Sequence, residues 1–180
     1  TYGLVEGKTV TINLNGHTIS GEYTDSTMLV GVFSTDNNGH LILTGEGTVN
    51  VTSAENATVY SLIVNYEPSC SIIVENGTYT LDKASDSLIY SGADAGENEG
   101  ITVKGGNFTL GNVGTGENGK PWIFNGYGQN ANAVIVNGGT FNAEINHQFW
   151  ANEVYVPEVL VAARAMNAGA QILKKKAGLV

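Results

Sequence analysis

Short runs of alternating apolar and polar residues recur along the chain, and turns that contain glycine separate them. Alternation with a period of two is typical of a β-strand that buries one face. Five segments repeat one pattern, an alternating run, a glycine turn and a second short run: Val10–Gly21, Leu41–Val51, Ser71–Leu81, Gly100–Leu110 and Ala133–Ala143. A repeat of about 30 residues is typical of a solenoid.

A second family of apolar runs falls between these segments. Its members are Met28–Phe33, Ser61–Tyr66, Ser87–Gly92 and Trp122–Tyr127. A strand this short cannot bury its apolar face alone, but it can do so when it stacks on the equivalent strand of the next coil. The pattern therefore predicts an all-β parallel solenoid of about five coils. An antiparallel β-sandwich with turns at similar intervals is the alternative.

The repeated turns predict the corners of this solenoid. Their glycines align as one set of structural corner positions, Gly16, Gly47, Gly77, Gly106 and Gly139. Glycine adopts positive φ without a steric penalty, and it allows two backbones to approach closely. The polar stretches between the runs vary in length, which is expected of loops that project outward.

Composition narrows the functional classes. The 24 glycines follow no three-residue period and there are only 3 prolines, which excludes collagen. A net charge of −9 argues against binding to nucleic acid or insertion into anionic membranes, because both need a basic surface. The single cysteine, Cys70, rules out a disulfide within the chain, so stability must come from packing and strand ladders.

The pattern changes near Val156, where alternation ends and Ala, Leu and Lys dominate. Pro157 and the cluster Lys174–Lys176 suit the first and last turns of a helix. Its apolar positions follow heptad spacing and form a candidate association face: Val159, Ala163, Met166, Ala170 and Leu173. The sequence thus predicts a solenoid domain over 1–155 and a helical segment over 156–180 that caps the solenoid or mediates self-association.

Candidate chemistry is sparse. The histidines His17, His40 and His147 lie far apart in sequence, and Glu97 and Glu99 lie in a Gly-Asn loop typical of solvated surface. We therefore assign no catalytic residue, no metal site and no cofactor. Most of the aromatic residues are expected in core and corner packing. Trp122 and Tyr127 flank a Gly-Asn loop and are the candidate ligand-binding residues, for a carbohydrate or a protein partner.

The repeat contains LNGHTISG, VKGGNFTL and VNGGTFNAEI, followed by HQFWANEV. In these motifs it resembles the right-handed parallel β-helix proteins with pectate-lyase-like folds. More narrowly, it is similar to small glycine-cornered β-helix proteins of gut bacteria and their tailed phages, over about residues 8–156. The resemblance implies a right-handed β-helix in a virion fibre, a virion decoration or a surface protein. Lyases on this fold use clustered acidic residues to hold calcium, and no close Asp-x-Asp is present here.

The C-terminal segment does not share that resemblance. Residues 155–173, with VPEVLVAARAMNAG, are similar to the helical segment that precedes the cobalamin-binding domain of corrinoid proteins. The histidine loop that ligates cobalt in that family is absent, so no cofactor is carried over. We expect a non-enzymatic structural or adhesive protein that acts as an oligomer on a virion or cell surface. A carbohydrate-binding or carbohydrate-cleaving module and a filament-forming subunit are the alternatives.

Overall fold

The computed structural model describes residues 3–93, 99–114, 121–126 and 134–143, which form three parallel sheets of five strands each. Sheet 1 contains β1 (Gly3–Glu6), β4 (Met28–Asp36), β7 (Thr58–Asn65), β10 (Ser87–Ser91) and β13 (Trp122–Gly126). Sheet 2 contains β2 (Thr9–Asn13), β5 (His40–Thr44), β8 (Ser71–Val74), β11 (Gly100–Val103) and β14 (Val134–Val136). Sheet 3 contains β3 (Thr18–Tyr23), β6 (Thr48–Ser53), β9 (Thr78–Leu81), β12 (Asn107–Leu110) and β15 (Thr140–Phe141).

Each strand pairs in parallel with the strand three places further along the chain, so every coil contributes one strand to each sheet. The predicted all-β solenoid is confirmed, and the antiparallel sandwich is wrong. Five strands per sheet span about four turns from the first coil to the last. The second family of apolar runs forms the strands of sheet 1, as the repeat predicted.

The core consists of columns of equivalent side chains that stack along the solenoid. In sheet 2 one column holds Leu41, Ile72, Ile101 and Val134, all of them buried. In sheet 3 the corresponding column is aromatic. The ring of Phe108 stacks on Tyr79 at a centroid distance of 5.3 Å and on Phe141 at 5.0 Å. These columns are the continuous apolar interior that no single coil could form.

The corners between sheets 2 and 3 form a column of their own. Gly47, Gly77, Gly106 and Gly139 have φ values of 149°, 110°, 111° and 104°. The amide that follows each corner donates to a carbonyl of the preceding coil, as from Asn107 N to Gly77 O at 2.8 Å. A Cβ atom added at Gly106 would lie 3.0 Å from Gly77 O. Both the backbone conformation and the spacing between coils therefore favour glycine at this corner.

The first corner differs from the others. Thr48 N donates to His17 O at 3.0 Å, so His17, rather than Gly16, occupies the position equivalent to Gly47. Gly16 lies one residue earlier, with a φ of 76° and no atom within 4 Å of a Cβ added there. The glycine alignment is offset by one residue in this coil, because β3 begins at Thr18 opposite Thr48.

The first coil leaves part of the apolar interior exposed. Ile19 is 41% exposed, although its neighbour Val49 in the next coil is fully buried. Leu4 of β1 is 50% exposed, but its register places it on the outer face of sheet 1, in line with Ser34, Val64 and Tyr90. The predicted helix lies outside the described residues, and so does the domain boundary near residue 156. The residues of the helix's candidate association face are Val159, Ala163, Met166, Ala170 and Leu173.

Candidate functional site

A groove of about 480 Å³ crosses sheet 1, and we call it the tyrosine groove. It is lined by Met28 and Val30 of β4, by Tyr60 and Val64 of β7, by Tyr66, by Tyr90 of β10 and by Gly92. Solvent reaches it, since Met28 is 52% exposed and Tyr66 is 39% exposed. Apolar and aromatic side chains thus line an open concavity on a paired sheet.

Strand register brings the tyrosines together. Tyr90 lies beside Val64 in the β7–β10 pair, and its ring meets that of Tyr60 edge to face at a centroid distance of 5.3 Å. Gly92 N donates to Asn65 O at 2.7 Å. A Cβ atom added at Gly92 would lie 2.3 Å from Tyr66 O, so glycine lets the segment after β10 pass close to Tyr66.

Two of the three groove tyrosines each have a carboxylate nearby, Asp86 for Tyr60 and Asp36 for Tyr66. Asp86 N donates to Tyr60 O at 3.2 Å, and the Asp86 side chain is buried, with its carboxylate accepting from Asn125 Nδ2 at 2.8 Å. Burial, followed by the nearby Asp86 and Tyr90, raises the pKa of Tyr60. Burial and the charge of Asp36 raise the pKa of Tyr66. Both phenols therefore remain protonated at neutral pH in a negative electrostatic field, and the Tyr60 hydroxyl is hydrogen-bonded to the side chains of Asp86 and Tyr90.

Buried polar pairs hold the strands beneath the groove in register. Thr35 Oγ1 donates to Asn65 Oδ1 at 2.7 Å, and the hydroxyls of Ser61 and Ser87 lie 3.0 Å apart. Each pair joins neighbouring coils of sheet 1, and both partners are buried. Because leaving one member unpaired would cost the desolvation of a polar group, these contacts fix the position of the groove tyrosines.

Trp122, one of the two sequence-predicted ligand residues, does not line this groove. Trp122 lies on β13 beside Ser87, one coil further along, and it is half-buried. Tyr127 lies outside the described residues. The sequence assigned most tyrosines to core packing, and that assignment missed Tyr60, Tyr66 and Tyr90. The available signal was that all three lie within or beside the apolar runs that form sheet 1.

The described residues hold no cluster of three or more His, Cys, Asp or Glu side chains that could bind a metal ion. His40 Nδ1 lies 2.9 Å from Ser71 Oγ in the neighbouring coil, and Cys70 is fully buried. No helix within the described ranges has both the length and the apolar character needed to cross a membrane. The tyrosine groove is therefore the candidate site on which the functional proposal is built.

Comparison with known proteins returns no relative. No family model matches the chain, no curated protein is significantly similar to it, and no solved structure gives a significant match. The assignment to the parallel β-solenoids accordingly stands on the sheet topology and the strand register described above.

Proposed function

We propose that this protein is a non-enzymatic structural or adhesive solenoid of a virion or cell surface, and that the tyrosine groove binds a carbohydrate. The observation that carries the proposal is the convergence of Tyr60, Tyr66 and Tyr90 on one open groove. Tyrosine combines an apolar ring with a polar hydroxyl. It therefore suits a ligand with apolar C–H faces and many hydroxyl groups, as a sugar has.

The scaffold supports the same function. Tyr60 and Tyr90 project from adjacent paired strands rather than from long loops, so their separation is fixed by the ladder of hydrogen bonds. Sites built on such elements hold their geometry more accurately than sites on loops. A groove that is already formed loses little conformational entropy when it binds a ligand.

Replacing Tyr66 by Ala is expected to weaken carbohydrate binding by about tenfold, because the variant loses an exposed stacking surface worth roughly 1–2 kcal/mol. Calorimetry with hexamers of glucose, glucosamine and galacturonate, each β-linked or α-linked as in its natural polymer, measures the loss. The Tyr66→Phe variant keeps the ring and should retain most of the affinity. Tyr23→Ala is the control for loss of a tyrosine that does not line the groove, because Tyr23 lies on sheet 3. Failure of the wild-type protein to bind any of the three, or wild-type affinity in Tyr66→Ala, would contradict the proposal.

The exposed first coil favours a second candidate role, assembly with another copy of this chain. Strands β1, β2 and β3 each form the first edge of their sheet, and Ile19 is 41% exposed at a position that is buried in the next coil. A sheet edge with unpaired backbone groups and apolar side chains is a template for strand addition. Contacts between unlike ends of a solenoid would propagate into a filament.

Replacing Ile19 by Lys is expected to weaken self-association at least about tenfold, because a charge would enter the apolar contact. Light scattering over a range of protein concentrations measures the mass of the assembly. Ser20→Lys is the matched control, because Ser20 is exposed on the same strand and does not continue the core column. A wild-type protein that stays monomeric at every concentration, or equal effects of the two variants, would rule out this role for Ile19.

A further inference from the structure

We infer that the tyrosine groove selects ligands that carry an ammonium group, and that its carbohydrate ligand is a glycan with free amines. The inference rests on the proposed function and adds a charge requirement to it. Three features carry it: the aromatic lining of the groove, the acidic groups beside that lining and the absence of lysine from the lining residues.

The first feature is the lining. Three of the seven lining residues are tyrosines, and none of the seven is charged. The face of an aromatic ring carries a negative quadrupole and attracts a cation within about 6 Å of its centre. Tyr60 and Tyr90 meet edge to face, an arrangement that leaves their rings at an interplanar angle of 73°. Both of these rings line the groove, and Tyr66 adds a third aromatic group to it.

The second feature is the position of the carboxylates. Tyr66 N donates to Thr35 O at 3.1 Å, which places Asp36, the next residue of β4, beside Tyr66. Glu6 of β1 in turn lies opposite Asp36. Asp86 is buried next to Tyr60. These groups make the potential at the groove more negative, and, after burial, Asp36 raises the pKa of Tyr66 and Asp86 raises the pKa of Tyr60.

The third feature is the placement of positive charge. Lys104 Nζ lies 3.3 Å from Glu75 Oε1, and Lys83 Nζ donates to the carbonyl of Ala54 at 3.0 Å. Neither of these lysines lines the groove, and Lys8, the third lysine among the described residues, does not line it either. The chain as a whole carries a net charge of −9, so an anionic glycan would be repelled on approach, whereas a cationic one would be attracted.

The test compares three hexamers by calorimetry at low and physiological salt: glucosamine, which is cationic, N-acetylglucosamine, which is neutral, and galacturonate, which is anionic. We expect the glucosamine hexamer to bind about tenfold more tightly than the neutral one, with the preference reduced by salt. Because any acidic protein attracts a polycation, the decisive comparison is between two variants that remove one negative charge each. Asp36→Asn removes a charge beside the groove, and Glu22→Gln removes an exposed charge on sheet 3.

The preference for glucosamine should fall several-fold in Asp36→Asn and in Tyr66→Ala, and it should be unchanged in Glu22→Gln. Equal binding of the cationic and neutral hexamers would overturn the inference while leaving the proposed carbohydrate function intact. A preference that responds equally to Asp36→Asn and Glu22→Gln would also overturn it, because general acidity would then be the cause. Tightest binding of the galacturonate hexamer would likewise overturn the inference, because this ligand is anionic. Absence of binding to these three hexamers and to the glucose hexamer would overturn both the inference and the proposed function.

Discussion

Replacing Phe108 by Ala is expected to destabilise the solenoid by about 3–5 kcal/mol, the cost typical of removing a buried aromatic side chain. Phe108 is 1% exposed and lies in the middle of the aromatic column, between Tyr79 and Phe141. Its removal would leave a cavity and would break two stacked ring contacts at once. The neighbouring core residues Leu81 and Leu110 are fully buried, so the surrounding coils have little freedom to close the gap.

Urea unfolding followed by circular dichroism measures this effect. Thr109→Ala is the matched control, since Thr109 is the next residue of β12 and is only half-buried, and we expect it to cost less than about 1 kcal/mol. Phe108→Leu should fall between the two, because most of the volume is kept. A loss below about 1 kcal/mol for Phe108→Ala would show that the aromatic column does not support the fold as described.

Replacing Gly106 by Ala is the second large effect expected, a loss of about 3 kcal/mol. Its φ of 111° lies in a region that residues with a Cβ atom rarely adopt. The added Cβ would also lie 3.0 Å from Gly77 O and 3.2 Å from the ring of Phe108. The backbone carbonyl belongs to the ladder between coils and the ring to the core, so neither can move without disturbing its neighbours.

The Gly16→Ala variant separates the cost of the positive φ from the cost of the close contacts made by the added Cβ atom. Gly16 has a φ of 76°, and nothing lies within 4 Å of a Cβ added there. It should therefore lose only the conformational part, about 1–2 kcal/mol. The free energies of unfolding of the two variants, measured in the same denaturant, give the comparison. Equal losses at the two positions would mean that the spacing between coils contributes nothing to the requirement for glycine at Gly106.

Much of the fold was readable from the sequence, because the same physical constraint recurs in every coil. Each corner needs a residue that tolerates positive φ, and each short strand needs an apolar partner in the next coil. The pattern around Gly47, Gly77, Gly106 and Gly139 therefore predicted the register of sheet 3. It misplaced the first coil by one residue, since His17 occupies the equivalent position there and nothing in its side chain indicates a corner.

The tyrosine groove could not be predicted in the same way. Tyr60 and Tyr66 come from one coil and Tyr90 from the next, and their convergence depends on the register of β7 against β10 and on the close approach of Gly92 to Tyr66. Alternation shows which residues share a face of a strand, but it gives no loop geometry and no distance between side chains of separate coils. Trp122 was singled out by its local loop, yet the structure places it one coil away, beside Ser87.

The central claim is that the tyrosine groove is the surface that contacts the ligand. The most direct test is nuclear magnetic resonance of protein labelled at its 8 tyrosines, titrated with glucosamine hexamer. We expect the ring signals of Tyr60, Tyr66 and Tyr90 to shift with one common affinity. Those of Tyr79, buried in the core column, and Tyr23, on sheet 3, should stay in place. Saturable binding that leaves all three groove tyrosines unmoved would contradict the claim.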